Sequence, residues 1–224
     1  MPAALVTGGS SGIGFAIARM LREEGFELTL VSRTREKVEA AARELGALAL
    51  AADVAHEDDC QRIVREHAER HGSLDVLVNS AGTGIVGSAE KLPAKHWDLQ
   101  FAVNLRGAFL VTRNAIPLLR ASRGLVVNLA SIAGTIPTPG LAAYGASKAG
   151  LISLTRSLNT ELEGDGIRLN ALCPGFVDTP MAQWSGLKSD EMIQPEDCAE
   201  VVRMLLRLSP RARIPQVVIE RLGE

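Results

Sequence analysis

Short apolar runs alternate with longer stretches in which apolar positions recur every three to four residues, and the alternation persists along the whole chain. Runs such as Leu125-Val126-Val127-Asn128-Leu129 are nearly all apolar, as a strand buried on both faces of a parallel sheet requires. The pattern predicts strands at Ala3–Thr7, Glu27–Ser32, Ala47–Ala51, Leu74–Asn79, Gly124–Leu129, Ile167–Leu172 and Gln216–Ile219. Helices are predicted at Gly12–Glu24, Arg35–Leu45, Asp58–His71, Ala94–Arg120, Ala142–Glu163 and Pro195–Leu208. Gly25, Gly46, Gly72 and Gly164 each follow a helical run and Pro195 opens one, which is how helices begin and end. Strands that alternate with helices give an α/β fold, here a doubly wound, seven-stranded parallel sheet with helices on both faces.

Composition narrows the class. A chain of 224 residues, 46% hydrophobic, has enough apolar material for one substantial core, so a single domain spanning 1–224 is expected, without repeats. A net charge of −2 with no long run of one sign argues against nucleic acid as a partner. No basic leader or long apolar segment is visible, so the protein reads as cytoplasmic, with no membrane partner. Cys60, Cys173 and Cys198 are odd in number and far apart, which suits reduced thiols. His56, His67, His71 and His96 lack metal-ligand spacing, and no metal site is expected. His67 and His71, one turn apart near the end of a charged helix, are expected to face solvent or the helix dipole.

In sheets of this kind ligands lie beyond the carboxyl ends of the strands, and the polar residues follow the strands accordingly. After the first comes Thr7-Gly8-Gly9-Ser10-Ser11-Gly12-Ile13-Gly14, which opens a helix; its glycines let backbone approach a pyrophosphate beneath free helix N–H groups. After the second come Ser32 and Arg33, a cation where NAD enzymes tend to place an acid, so NADP(H) is preferred over NAD(H) as cofactor. Ser131 follows the fifth strand. Thirteen residues on stands Tyr144, the chain's only tyrosine, and four further Lys148, one turn along the same helix face. Together they suit hydride-transfer chemistry: Tyr144 as general acid/base, Ser131 as ligand of the substrate oxygen, Lys148 as ribose anchor and as the cation that lowers the phenol's pKa.

These motifs, with Asn79-Ser80-Ala81-Gly82, Asn104 and Pro174-Gly175-Phe176-Val177-Asp178-Thr179, resemble in their order the short-chain dehydrogenase/reductase family, with its Rossmann-type domain. The resemblance spans nearly the whole chain and implies further roles. Asp53 and Val54 would contact adenine, Asn79 to Gly82 (including Ala81) would wall the adenosine ribose, and Thr179 beside Pro174, Gly175 and Val177 would hold the nicotinamide carboxamide. Asn104 would complete a proton relay, and Ser80 stands where a second Asn is common. By the same analogy Ile132, Ala133, Phe176, Met181 and Trp184, with Ser131, would line a mostly apolar substrate pocket under a short lid at 178–194. The implied activity is interconversion of a small or medium carbonyl compound and its alcohol, by a homo-oligomer, a dimer or tetramer. The ending lacks the Asp-Gly-Gly turn of many acyl-carrier ketoreductases, which argues against that substrate. A non-catalytic NADP(H) sensor is the alternative, disfavoured because the catalytic residues are all kept.

Overall fold

Alternation along β1 (Ala3–Thr7) sends Ala4 and Val6 into one apolar core and Leu5 into another, so the strand is buried from both sides. The same holds for β2 (Glu27–Ser32), β4 (Val76–Asn79) and β5 (Leu125–Leu129). With β3 (Leu48–Ala51), β6 (Arg168–Pro174) and β7 (Gln216–Ile219) they complete a seven-stranded sheet in the order β3-β2-β1-β4-β5-β6-β7, every neighbouring pair parallel. The computed structural model describes residues 1–223. Helices α1 (Gly12–Glu23), α2 (Arg35–Leu45) and α7 (Pro195–Leu206) cover one face. The other is covered by α3 (Glu57–His71), α5 (Ala108–Ser122) and α6 (Ala142–Glu161). The chain leaves β1 toward β2 and β3 on one side and resumes with β4 on the other. That reversal opens a crevice beyond the carboxyl ends of β1 and β4.

Two expectations need correction. The helix predicted as one rod from Ala94 to Arg120 is three pieces: α4 (Ala94–Phe101), a π turn at Ala102–Gly107, and α5. Side-chain demands explain the break. Asn104, 1% exposed, bonds a loop across from it, and Gly107 lies so close to the Val54 backbone that an added Cβ would stand 2.8 Å from its carbonyl oxygen. A π turn takes up the mismatch between the two helical stretches, and such turns cluster at functional positions.

The second correction concerns His67, which is fully buried between α3 and β2 rather than facing solvent. Its Nε2 lies 2.9 Å from the Ser73 carbonyl and must donate to it, so Nδ1 accepts from the Thr29 hydroxyl at 2.8 Å. Burial and the neighbouring His71 pull its pKa down to about 4, so the ring is neutral at pH 7. Strand-facing polarity of Thr29, inside an otherwise apolar run, was the sequence signal for this pair.

Candidate active site

The glycine loop after β1 is held in a shape that side chains would forbid. Gly8 has φ +66°, and an added Cβ would stand 2.8 Å from the Ser80 and Ala81 backbone; at Gly14 it would stand 2.4 Å from the Gly8 carbonyl oxygen. Ser11 is extended and caps α1 with no side-chain bond, so no side chain covers the first-turn N–H groups. They head a cleft of about 330 Å³ lined by Gly8, Ser10, Ser11, Gly12, Ile13 and Gly14, by Ser32, Arg33, Thr34 and Lys37, and by Asp53, Val54, Ala81, Gly82, Val103 and Thr179. Close-approach backbone, uncapped helix N–H groups and two cations at one end fit a dinucleotide with an anionic tail. Lys37 was not among the expected residues; its place in the first turn of α2, one helical turn beyond Arg33, was the signal for it.

Of the residues expected at the cofactor, Pro174, Gly175 and Val177 line the chamber beyond the cleft, and two face neither space. Thr7 is buried, its hydroxyl accepting from the Ala81 N–H at 3.2 Å and donating to the Val78 carbonyl, so it holds the loop from behind. Asn79 points into the core, donating to Asn128 at 2.8 Å and Thr112 at 3.0 Å. Asn128 in turn donates to Thr155 on α6, whose hydroxyl bonds the Leu151 carbonyl, giving a polar seam from β4 to α6.

At the other end of the cleft, Ser131, Tyr144 and Lys148 come together. Ser131 ends the fifth-strand segment and caps a short 3-10 turn, accepting from the Ala133 N–H at 3.2 Å. It shares the chamber wall with Tyr144, which stands in the first turn of α6. Lys148, one turn on, is 4% exposed and donates to the Leu129 carbonyl at 2.5 Å. An ammonium has three donors, and this one leaves donors over for a sugar hydroxyl. Burial draws its pKa down to about 8.

The lowering of the Tyr144 pKa expected from Lys148 is not what this geometry produces. The ammonium sits 5.7 Å from the ring centroid, and burial of the phenol dominates, raising its pKa while the neighbouring Ser131 side chain pulls the other way. Asn104 makes its side-chain hydrogen bonds to neither the phenol nor the ammonium. Its side chain clamps Thr83, accepting from the N–H at 2.8 Å and donating to the carbonyl at 2.9 Å, and it donates to Ser147 at 3.0 Å. Ser147 passes the connection to the Tyr144 carbonyl. Neither Thr83 nor Ser147 was singled out by sequence; Ser147 is the residue immediately before Lys148.

Beyond Tyr144 lies a second chamber of about 250 Å³. Ser131, Ile132, Ala133, Pro174, Gly175, Phe176, Val177, Thr179, Met181 and Trp184 line it, and Thr179 and Gly82 also line the first cleft, so the two spaces meet. Phe176 and Trp184 pack edge to face with centroids 5.8 Å apart. No group of three or more His, Cys, Asp or Glu among the described residues is placed to hold a metal ion.

Residues 2–189 match the family described as short chain dehydrogenase. The chain belongs to the short-chain dehydrogenase family. Its relatives include the 2-(R)-hydroxypropyl-CoM dehydrogenase of Xanthobacter autotrophicus, 38% identical over 95% of this chain and 83% of that one. A 3-oxoacyl-(acyl-carrier-protein) reductase of Staphylococcus aureus is 40% identical over 80% of this chain and 75% of its own length. An alcohol dehydrogenase from the archaeon Thermococcus sibiricus, solved with 5-hydroxy-NADP, superposes with a TM-score of 0.93 at 29% identity over 100% of this chain and 98% of that one. This short-chain dehydrogenase is therefore an oxidoreductase that acts on CH–OH donors with a nicotinamide cofactor. Among the described residues no helix is long and apolar enough to cross a membrane.

Proposed function

We propose that this short-chain dehydrogenase interconverts a small or medium carbonyl compound and its alcohol, using NADP(H) in preference to NAD(H). One observation carries the reading: Ser131, Tyr144 and Lys148 meet where the glycine-loop cleft opens into the apolar chamber. The nicotinamide, when bound, supplies the hydride in reduction and takes it in oxidation. Tyr144 gives its proton to the carbonyl oxygen in reduction and recovers it in the reverse direction. Ser131 holds that oxygen beside the phenol, where charge develops. Lys148 anchors the nicotinamide ribose, and its positive charge faces the same site. Asn104, tied to Thr83 and through Ser147 to α6, holds the loop after β4 against the catalytic helix.

The NADP(H) preference is supported by Ser32, Arg33 and Lys37, which line the cleft at the end of β2, where no acid stands to bond a free ribose 2′-hydroxyl. The NADP derivative bound by the archaeal neighbour supports the same reading. We further propose a single catalytic domain whose residues 178–194 act as the lid, and a homo-oligomer, a dimer or tetramer, formed through α4 to α6, where Trp97, Leu99 and Phe109 are exposed. Its three buried, unpaired cysteines suit the reducing cytoplasm.

The deciding experiment follows NADPH and NADH consumption with a panel of ketones and aldehydes, for the wild type and for Tyr144→Phe. NADPH-preferring turnover that disappears in the variant supports the proposal. Saturable NADPH binding without any Tyr144-dependent turnover would transfer weight to a sensor.

A further inference from the structure

The chamber beyond Tyr144 also constrains what the substrate carries on either side of its carbonyl. Among the side chains that line it, Lys148 alone is charged, and that ammonium is buried and bonded to the Leu129 carbonyl at the cofactor end. A carboxylate, phosphate or sulfonate next to the reacting carbon would lose its water here and meet no cation placed to pair with it.

Shape adds a second constraint. Ile136, Pro137 and Pro139 form one wall, in which the two prolines fix the backbone. Facing it, Met181 and Trp184 are 44% and 53% exposed, and Ile136 is 49% exposed, so the rim of the chamber is apolar and open. Exposed apolar surface gathered round a pocket mouth marks a place that an apolar partner covers.

Between the Tyr144 ring and Met181 the wall is bare backbone, at Gly84. A Cβ added there would lie 3.5 and 3.6 Å from the Tyr144 ring and 3.8 Å from the Met181 sulfur, ordinary contact distances. Gly84 does not have a positive φ. Its missing side chain is thus not demanded by the backbone; it leaves room for one carbon beside the acid.

We infer that this chamber selects an uncharged ketone, or the matching secondary alcohol, whose larger substituent is apolar and seated between Gly84, Met181 and Trp184. It rejects carbonyl compounds bearing an anionic group beside the reacting carbon. The inference rests on the carbonyl–alcohol reading of the site and names its substrate class.

Three substrates test it in the same NADPH assay: acetophenone, phenylglyoxylate, in which a carboxylate replaces the methyl group, and butanone. The wild type is expected to favour acetophenone over phenylglyoxylate in kcat/KM by about 100-fold or more, because the buried carboxylate has no partner. Gly84→Ala should lower the acetophenone-to-butanone ratio by about tenfold, since a methyl group fills the space the ring would use. Ile136→Arg, at an exposed rim position, should shift the phenylglyoxylate-to-acetophenone ratio upward by about tenfold by supplying the absent cation. Equal or better turnover of phenylglyoxylate by the wild type would overturn the inference and leave the oxidoreductase reading standing. So would a Gly84→Ala loss equal for both ketones. If NADPH binds but none of the three gives Tyr144-dependent turnover, the underlying reading fails and takes the inference with it.

Discussion

Lys148→Met is expected to make the protein more stable and nearly inactive. Burial lowers the pKa of Lys148 from 10.5 to about 8, so the native state holds this proton less tightly than the unfolded chain does. Below pH 8 both states are protonated, and the buried charge costs the native state about 3 kcal/mol at ~1.4 kcal/mol per pH unit. As the pH rises from 8 to 10.5 the native lysine gives up its proton first, and the cost is relieved. Methionine reproduces the unbranched stem, one atom shorter and without the charge, but removes the hydrogen bond to the Leu129 carbonyl, a loss of about 1–2 kcal/mol. The net gain at pH 7 is therefore about 1–2 kcal/mol, or ~2–8 °C in Tm for a chain of this size. Guanidinium unfolding of nucleotide-free wild type and variant, at intervals from pH 7 to 10.5, measures it. The variant should lead at pH 7, and its lead should shrink or reverse by pH 10. Turnover should fall by about 100-fold or more. A variant less stable than the wild type at pH 7, by a margin that does not change with pH, would refute the reasoning.

The buried His67 makes the opposite end of the pH scale informative. Its pKa, lowered to about 4, means that the native state binds fewer protons than the unfolded chain between pH 6.5 and 4, so stability falls by up to about 3 kcal/mol as pH drops through that window. His67→Gln keeps a donor for the Ser73 carbonyl and an acceptor for Thr29, and denaturation midpoints at pH 4.5, 5.5 and 7 should show a flatter acid limb. Exchanging Ser32 for Asp and Arg33 for Ala should lower the NADPH-to-NADH ratio of kcat/KM by about 100-fold, in keeping with the loss of one or two charge-assisted bonds. An unchanged ratio would refute the cofactor assignment. Asn104→Ala leaves the Thr83 N–H and carbonyl without their side-chain partner and should cost about 2–4 kcal/mol, read as a lower Tm with reduced kcat.

The fold and the meeting of the candidate site residues were legible for different physical reasons. Parallel strands buried on both faces leave continuous apolar runs, and glycine caps such as Gly46 and Gly72, both with positive φ, mark where helices stop. That Ser131, Tyr144 and Lys148 would meet was legible because the chain order carries each to the same end of the sheet and a helix fixes the last spacing. The π turn was not, since a one-residue mismatch barely alters an apolar periodicity; only Asn104, awkward among apolar neighbours, pointed to it. His67 was misplaced because charged neighbours on α3 concealed that it continues the inward-facing row of Cys60, Ile63 and Val64. Ser147 acts through proximity in three dimensions, and nothing in its local sequence declares it, whereas Lys37 was marked only by its place one turn beyond Arg33. The direction of the Tyr144 pKa likewise depends on burial, which spacing does not reveal.

Asn79, Asn128 and Thr155 give the centre of this molecule a kind of keyway. Apolar contacts are non-directional, so a helix lying on a greasy sheet is free to turn or slip by small amounts at little cost. Directed bonds from β4 through β5 to α6 remove that freedom, and they fix the rotation of the helix that carries Tyr144 and Lys148. The aim of Tyr144 is thus set by three residues that line neither the cleft nor the chamber. A change among them would leave Ser131, Tyr144 and Lys148 all present, yet spoil their alignment.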